Sequence, residues 1–307
     1  MEQISPRLLD FDQNRTPPVP RDAATLVILR DGDRGLEVFC VRRHARSSFL
    51  GGALVFPGGK VDPDDGAEAW AARATAPAAR SELLATATAS ARTLAVAACR
   101  EAFEEGGILP VDAPLSDREV SEIALELNGG TAAGQPALAA ALERRGLRLD
   151  LGALVPWARW ITPEAESRRF DARFYLLALP AGQLGRHDDQ ETTMSVWASP
   201  TEILERTARG EFFLAPPTSR TLELLAGAPD LHRAAALAER QSLLPICPRF
   251  VPGDGGGPPY LALPGDPSHG VPERRTDGPT RYVLRGDRFI SEDAPPPQRN
   301  SPPPGKE

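Results

Sequence analysis

Two hydrophobic rhythms alternate along the chain. Ala23 to Leu29 and Leu36 to Val41 are dense in apolar, β-branched and aromatic residues, and the Asp31-Gly32-Asp33-Arg34-Gly35 segment between them is rich in residues that tolerate positive φ, so a hairpin is predicted. Ala53 to Phe56 predicts a third strand that runs into Pro57-Gly58-Gly59. From Gly66 to Cys99 alanine dominates, with leucines at Leu83, Leu84 and Leu94, and helix is predicted except around Pro77. This helix is expected to continue to Gly106-Gly107, a natural C-terminal stop. Ser116 to Leu127 and Gln135 to Arg145 predict two further helices. Strands follow at Val155 to Ile161, Arg173 to Leu179 and Met194 to Ala198, completing a mixed sheet. Ser199 then caps a helix from Pro200 to Arg209, with Glu202 completing a capping box, and helices at Thr218 to Leu225 and Leu231 to Leu243 close the pattern.

After Pro245 the rhythm breaks, because 15 of the 32 prolines fall in the last 63 residues. Most of that segment cannot pair into regular core structure. Tyr260 to Leu263 and Arg281 to Ile290 keep strand-like apolar spacing, while Ala294 to Glu307 is expected to be disordered. Composition narrows the classes. With 35 basic and 42 acidic residues the net charge is −7, which argues against a broad nucleic-acid or membrane surface. No apolar run reaches transmembrane length, and Met1 to Arg21 is polar, acidic and proline-bearing rather than a signal peptide, so a cytoplasmic setting is expected. Cys40, Cys99 and Cys247 form neither a metal-spaced pair nor an even disulfide set.

The chemistry concentrates at Arg100-Glu101-Ala102-Phe103-Glu104-Glu105-Gly106-Gly107-Ile108. At about 100° per residue, Glu101, Glu104 and Glu105 share roughly a third of the helix circumference and Phe103 points the other way. Such a face is either solvated or gathered around something positive, and a hard divalent cation such as Mg²⁺ takes oxygen ligands of this kind together with substrate phosphates. Upstream, Phe56-Pro57-Gly58-Gly59-Lys60-Val61-Asp62 places two glycines at a strand end, where the backbone at Gly58 and Gly59 can approach a ligand closely.

Together the two segments resemble the Nudix box, which runs Gly, five residues, Glu, seven residues, then Arg-Glu-apolar-x-Glu-Glu-x-Gly-apolar. Arg100 to Ile108 matches its second half, with Ala102 as the weak apolar member. Gly59 begins the first half, Asp65 stands where the family has Glu, and 34 residues (66 to 99) replace the usual seven, an insertion of 27. An interruption at this place is similar to that in a Nudix subgroup that includes the peroxisomal coenzyme A diphosphatases of animals. Phe49 to Gly59, Trp160-Ile161-Thr162-Pro163 and Phe213-Leu214-Ala215-Pro216-Pro217-Thr218 extend the likeness over roughly residues 22 to 245.

The resemblance implies an α/β (α+β) fold, a Nudix-type α/β/α sandwich around a mixed β-sheet. It divides the chain into an N-terminal arm (1–21), a hydrolase domain (22–245) holding a helical insertion (66–99) and a helical segment (112–150), a Pro/Gly-rich extension (246–293) and a tail (294–307). It implies hydrolysis of a phosphoric anhydride with Mg²⁺ or Mn²⁺, Glu104 and Glu105 as main ligands, Glu101 as ligand or base, and Arg100 as an orienting ion-pair partner. The Gly59 carbonyl would add a metal contact, Glu191 or Glu166 (Glu164 also lies nearby) an extra carboxylate, and Asp65 a partner for Arg100. A small nucleoside diphosphate-linked substrate is implied, with coenzyme A or its thioesters leading. Arg42, Arg43 and Arg46 form a basic cluster suited to a substrate phosphate, or are simply solvated strand-end charges. ADP-ribose or NAD-type dinucleotides are the first alternative, and a non-catalytic ligand sensor or scaffold is the second.

Overall fold

The computed structural model describes residues 11–46, 50–128, 136–186, 192–253 and 257–295. The first hairpin forms as the pattern predicts, though longer at both ends, with β1 (Arg21–Gly32) and β2 (Gly35–Arg43) antiparallel across a tight turn. The third strand shortens to β3 (Leu54–Val55), and the glycine pair itself is a strand, β4 (Gly58–Lys60), which pairs antiparallel with the first half of β1. Later come β5 (Val155–Ile161), β6 (Phe170–Ala178) and β7 (Thr192–Ala198). The seven strands make one mixed sheet with the path β3-β2-β1-β6-β5, β4 on β1 and β7 on β2, and β1 runs parallel to β6.

Alternation along β1 sorts the core into two layers. Ala24, Leu26 and Ile28 pack with α2 (Ala91–Gly106) on one face of the sheet. Val27 and Leu29 pack on the other with residues of α5 (Pro200–Ala208), α6 (Pro216–Leu225) and α7 (Leu231–Ala238). Each fully buried Leu, Ile or Phe among them contributes about 1.5–3 kcal/mol of apolar transfer. Cys40 and Cys99 are buried in these layers, and burial pushes both thiols well above their ordinary range, so they act as packing groups.

The alanine-rich insertion departs from the expected helix. It contains a one-turn helix α1 (Trp70–Arg73), a 3₁₀ turn at Ala79–Leu84, and only then the N-terminus of α2, capped by Ser90 accepting from the Thr93 amide at 3.1 Å. Tertiary bonds override alanine's helix propensity here: Thr75 N donates to Leu149 O at 2.8 Å and Leu149 N to Arg73 O at 2.8 Å, drawing the chain into a bridge beside Pro77. Trp70, buried, also anchors the segment by donating Nε1–H to Asp64 O. The helical segment that follows forms as α3 (Asp117–Asn128) and α4 (Ala137–Arg144). The last expected helix stops at Ala238 rather than Leu243.

Beyond Pro245 the two strand-like stretches do pair. β8 (Arg249–Val251), β9 (Tyr260–Ala262), β10 (Arg281–Arg285) and β11 (Arg288–Glu292) form a four-stranded antiparallel sheet, so Arg281 to Ile290 is a hairpin turning at Gly286 rather than one strand. Arg220 of α6 ties this sheet to the body: it is buried and donates to Glu223, to the Tyr282 hydroxyl at 3.1 Å and to Pro279 O at 2.7 Å. The tail beyond residue 295 lies outside the described residues, and among them no helix is long and apolar enough to cross a membrane.

Candidate active site

Sheet geometry places the acidic helix face beside the glycine strand. Ala24 of β1 pairs with Gly59, and a β-carbon at Gly59 would stand 2.4 Å from Glu101 Oε1, so only glycine lets the carboxylate lie against this backbone. Glu105 is buried and accepts from the Gly58 amide at 3.0 Å, while its other oxygen lies 3.6 Å from Arg43 Nη1. Arg100 joins the remaining acids. Its Nη1 donates to Glu101 Oε1 and Glu104 Oε2, both at 2.9 Å, and its Nη2 to Lys60 O at 3.0 Å.

The other side of Arg100 meets Asp65 in a two-pronged pair, Nε to Oδ1 at 2.8 Å and Nη2 to Oδ2 at 3.0 Å. Asp65 is buried and also accepts from the Asp62 amide at 2.8 Å, closing the 3₁₀ turn Pro63–Gly66. The shorter acid therefore reaches across the insertion that begins beside it. Desolvation by itself would lower the pKa of the guanidinium, but its bonds to Asp65 and the charges of Glu101, Asp65 and Glu104 outweigh this and raise it, so Arg100 stays charged. Glu104 moves the other way from most paired acids: desolvation at the wall, helped by Asp65 and Asp62, outweighs Arg100 and lifts its carboxyl above the usual range.

These acids form one wall of a cleft of about 850 Å³. Its floor is the face of the sheet bearing Arg21, Ala23 and Thr25, which stand in register with Phe170, Ala172 and Phe174 of β6. Paired alanines flanked by aromatic rings make a hollow with an apolar base. Trp160 to Pro163, Ala215 to Thr218 at the start of α6, Pro248 and Leu261 line the remaining walls. The two distant segments singled out in the sequence thus meet at this cleft.

Other sequence candidates lie elsewhere. Arg42 donates Nε–H to Gly52 O and is not on the cleft wall, and Arg46 is exposed with its amide on His44 Nδ1; of the three basic residues, Arg43 lines the cleft. Glu166 is buried within the loop after β5, off the wall, and Glu191 lies outside the described residues. Sequence reasoning missed Arg21, Arg168 and Arg169, which do line it. The period-2 face Arg21-Ala23-Thr25 was a legible signal, but its meaning depends on the parallel partner strand.

The family model described as the NUDT19 Nudix domain matches residues 72–225, half of the chain. The chain is 30% identical to the acyl-coenzyme A diphosphatase NUDT19 of Gallus gallus, covering 70% of this chain and 68% of the relative. The chain belongs to the Nudix hydrolase family. The human acyl-coenzyme A diphosphatase NUDT19 is 29% identical over 69% of this chain and 68% of its own length. The crystal structure of a Nudix hydrolase from Alicyclobacillus acidocaldarius superposes with a TM-score of 0.59 at 33% identity, covering 71% of this chain and 96% of that one. As a Nudix hydrolase it is a pyrophosphatase, and Nudix hydrolases in general work with divalent metals. Among the described residues no three His, Cys, Asp or Glu side chains are gathered as a metal-holding group, because Glu101 and Glu104 are folded onto Arg100. The donor set nevertheless fits a hard cation: carboxylate oxygens of one helix face lie against a backbone that glycine leaves open.

Proposed function

We propose that the chain hydrolyses the pyrophosphate of coenzyme A or an acyl-coenzyme A, releasing 3′,5′-ADP and phosphopantetheine or its acyl form. The observation that carries this reading is the cleft, whose acidic wall adjoins an apolar, aromatic floor in one cavity of about 850 Å³. With a divalent cation on the carboxylates a diphosphate would fit the first, and a long thin arm the second. The likeness to acyl-coenzyme A diphosphatases over 70% of the chain supports the same substrate class.

In this reading Glu104 and Glu105 supply the main oxygen ligands for Mg²⁺ or Mn²⁺, with the Gly59 carbonyl beside them. Glu101 is a further ligand or the base that takes the proton from the attacking water. Divalent metal, when bound, neutralises phosphate oxygens and lowers the pKa of bound water. The chain's own work is positioning: the Gly58 amide holds Glu105, and Asp65 holds Arg100, which aligns Glu101 and Glu104.

The test is Mg²⁺-dependent product release from coenzyme A, an acyl-coenzyme A, dephospho-coenzyme A, ADP-ribose and NADH. Coenzyme A or its thioester should show the highest kcat/KM. Glu104→Gln should lower kcat by about 100-fold or more with the thermal midpoint retained. A preference for ADP-ribose or NADH overturns the substrate, and full activity of Glu104→Gln overturns the metal role.

A further inference from the structure

Six cationic side chains line the cleft, and four of them are already engaged. Arg43 faces Glu105, Lys60 holds Asp62 at 2.8 Å, Arg100 holds three acids, and Arg169 is spent on the carbonyls of Thr162 and Pro18. Arg21 and Arg168 are different. Both are exposed on the wall, and among the described residues neither side chain makes a hydrogen bond or ion pair.

The Arg21 backbone is fixed in β1 while its charge is not. The Arg21 amide donates to Arg169 O at 2.9 Å, so β1 begins beside the bend that carries Arg168, one residue before Arg169. Between them the buried Arg169 guanidinium staples the loop after β5 to the segment before β1, through Thr162 O at 3.0 Å and Pro18 O at 3.0 Å. Arg21 shares the floor face with Ala23 and Thr25 and stands three residues along β1 from Ala24, the partner of Gly59. That separation is about 10 Å at strand rise, within reach of an arginine arm for a second anion on the same nucleotide.

We propose that Arg21 and Arg168 form a clamp for a phosphomonoester on the ribose of the substrate, distinct from the pyrophosphate held at the acidic wall. Two guanidiniums without a partner among the described residues, sharing a cleft with carboxylates that suit a hard cation, match a ligand with two separated anionic groups. Resting on the coenzyme A reading above, the clamp assigns the 3′-phosphate to this pair rather than to Arg42 and Arg46, which are off the wall. The 2′-phosphate of an NADP-type dinucleotide carries the same chemistry.

The experiment measures binding of 3′,5′-ADP and of 5′-AMP to the full chain by calorimetry, for the wild type, Arg21→Gln, Arg168→Gln and the double variant. The wild type should bind 3′,5′-ADP at least about 10-fold more tightly than 5′-AMP, and the double variant should lose that preference. Both side chains are exposed, so thermal midpoints should hold and report intact folding. Hydrolysis then separates the sources: kcat/KM should fall by about 10-fold more for coenzyme A than for dephospho-coenzyme A, whereas a larger fall for NADPH than for NADH identifies the 2′-phosphate instead. Equal wild-type binding of the two nucleotides, or a preference that survives in the double variant, overturns the clamp while leaving coenzyme A hydrolysis standing. A preference lost in the variants, in a protein that does not cleave coenzyme A, keeps the clamp and removes the substrate assignment.

Discussion

Asp65 closes the insertion. The segment that interrupts the acidic motif begins immediately after this residue, in the turn that follows β4, and returns through α2 to Arg100, and the two-pronged pair at 2.8 and 3.0 Å joins its two ends. Asp65→Ala removes both charged bonds and the acceptor for the Asp62 amide. An isolated buried pair broken from one side costs about 3–5 kcal/mol. Arg100 keeps Glu101, Glu104 and Lys60 O, so the pair itself should cost less, and loss of the turn cap adds about 1 kcal/mol. A net loss of about 2–4 kcal/mol follows, which for a chain of this size lowers the melting midpoint by about 3–6 °C. Released from Asp65, the guanidinium is free to move toward Glu101 and Glu104, and a displacement of an ångström at that face should cost about 100-fold in kcat. Asp65→Asn keeps the turn acceptor and the shape but not the charge, so its midpoint should lie between wild type and Asp65→Ala while its kcat falls with the alanine variant. Calorimetric melting beside Mg²⁺-dependent hydrolysis reads both quantities. An Asp65→Ala protein with an unchanged midpoint and full kcat would refute the reasoning that this pair carries the closure.

The two glycines of β4 should separate stability from catalysis. A β-carbon at Gly58 meets Ala24 O at 2.6 Å and Thr25 Cα at 2.8 Å, both backbone, so Gly58→Ala should lose about 1–3 kcal/mol in denaturant unfolding. At Gly59 the obstacle is the movable Glu101 carboxylate, so Gly59→Ala should melt near wild type yet lose about 100-fold in kcat. Arg173 is wholly buried, with Asp22 at 2.6 Å and Asp171 at 3.3 Å, and Asp171 also grips Arg159; Asp171→Ala should cost about 2–4 kcal/mol in urea unfolding, and a change under 0.5 kcal/mol would contradict the network. Burial alone would raise the pKa of Asp266, but Arg281, the Ser268 amide and Thr280 hold its carboxyl below the usual range. A depressed folded value gives stability that is present above the unfolded carboxylate range and lost as pH falls through the folded value, so wild type should lose midpoint below about pH 4 and Asp266→Asn should show a shallower acid slope.

What was legible in the sequence follows from how local each signal is. The β1–β2 hairpin, the strands β5 to β7, the capped α5 and the acidic face of α2 rest on periodicity and turn chemistry within a dozen residues, and they stand where the pattern put them. The insertion was misread because its alanines serve packing as well as propensity: Ala91, Ala95, Ala97 and Ala98 are buried in α2, whereas Ala74 is held in a bridge to Leu149 by bonds from a segment 75 residues away. The arginines of the cleft were misplaced for a related reason. Arg42, Arg43 and Arg46 are neighbours in sequence, but strand alternation and a turn send them in different directions, while Arg21 and Arg168 are 147 positions apart and reach one cleft because β6, which follows Arg168, pairs parallel with β1.

The antiparallel pairing of β4 with β1 helps explain how the acidic face of α2 tolerates a long interruption. Arg100 is fixed from three sides at once: by its own helix, by Asp65 at the insertion's start, and by Lys60 O on the strand that pairs with β1. The insertion's interior contributes no side chain to this set or to the cleft lining, and its own anchors, Arg73 to Glu143 of α4 and Thr75 N to Leu149 O, hold it beside α4. Length between Asp65 and Arg100 is therefore weakly constrained, because the entropy of a longer loop grows only slowly once its ends are joined. The constraint falls on the ends. A shortened insertion that keeps residues 62–66 and 90–106 should retain the Asp65–Arg100 bonds and most of kcat, losing stability in proportion to the apolar surface that Trp70 and Leu84 cover in the intact chain. A shortened protein that melts like wild type but no longer turns over substrate would place part of the catalytic alignment inside the insertion itself, against this account.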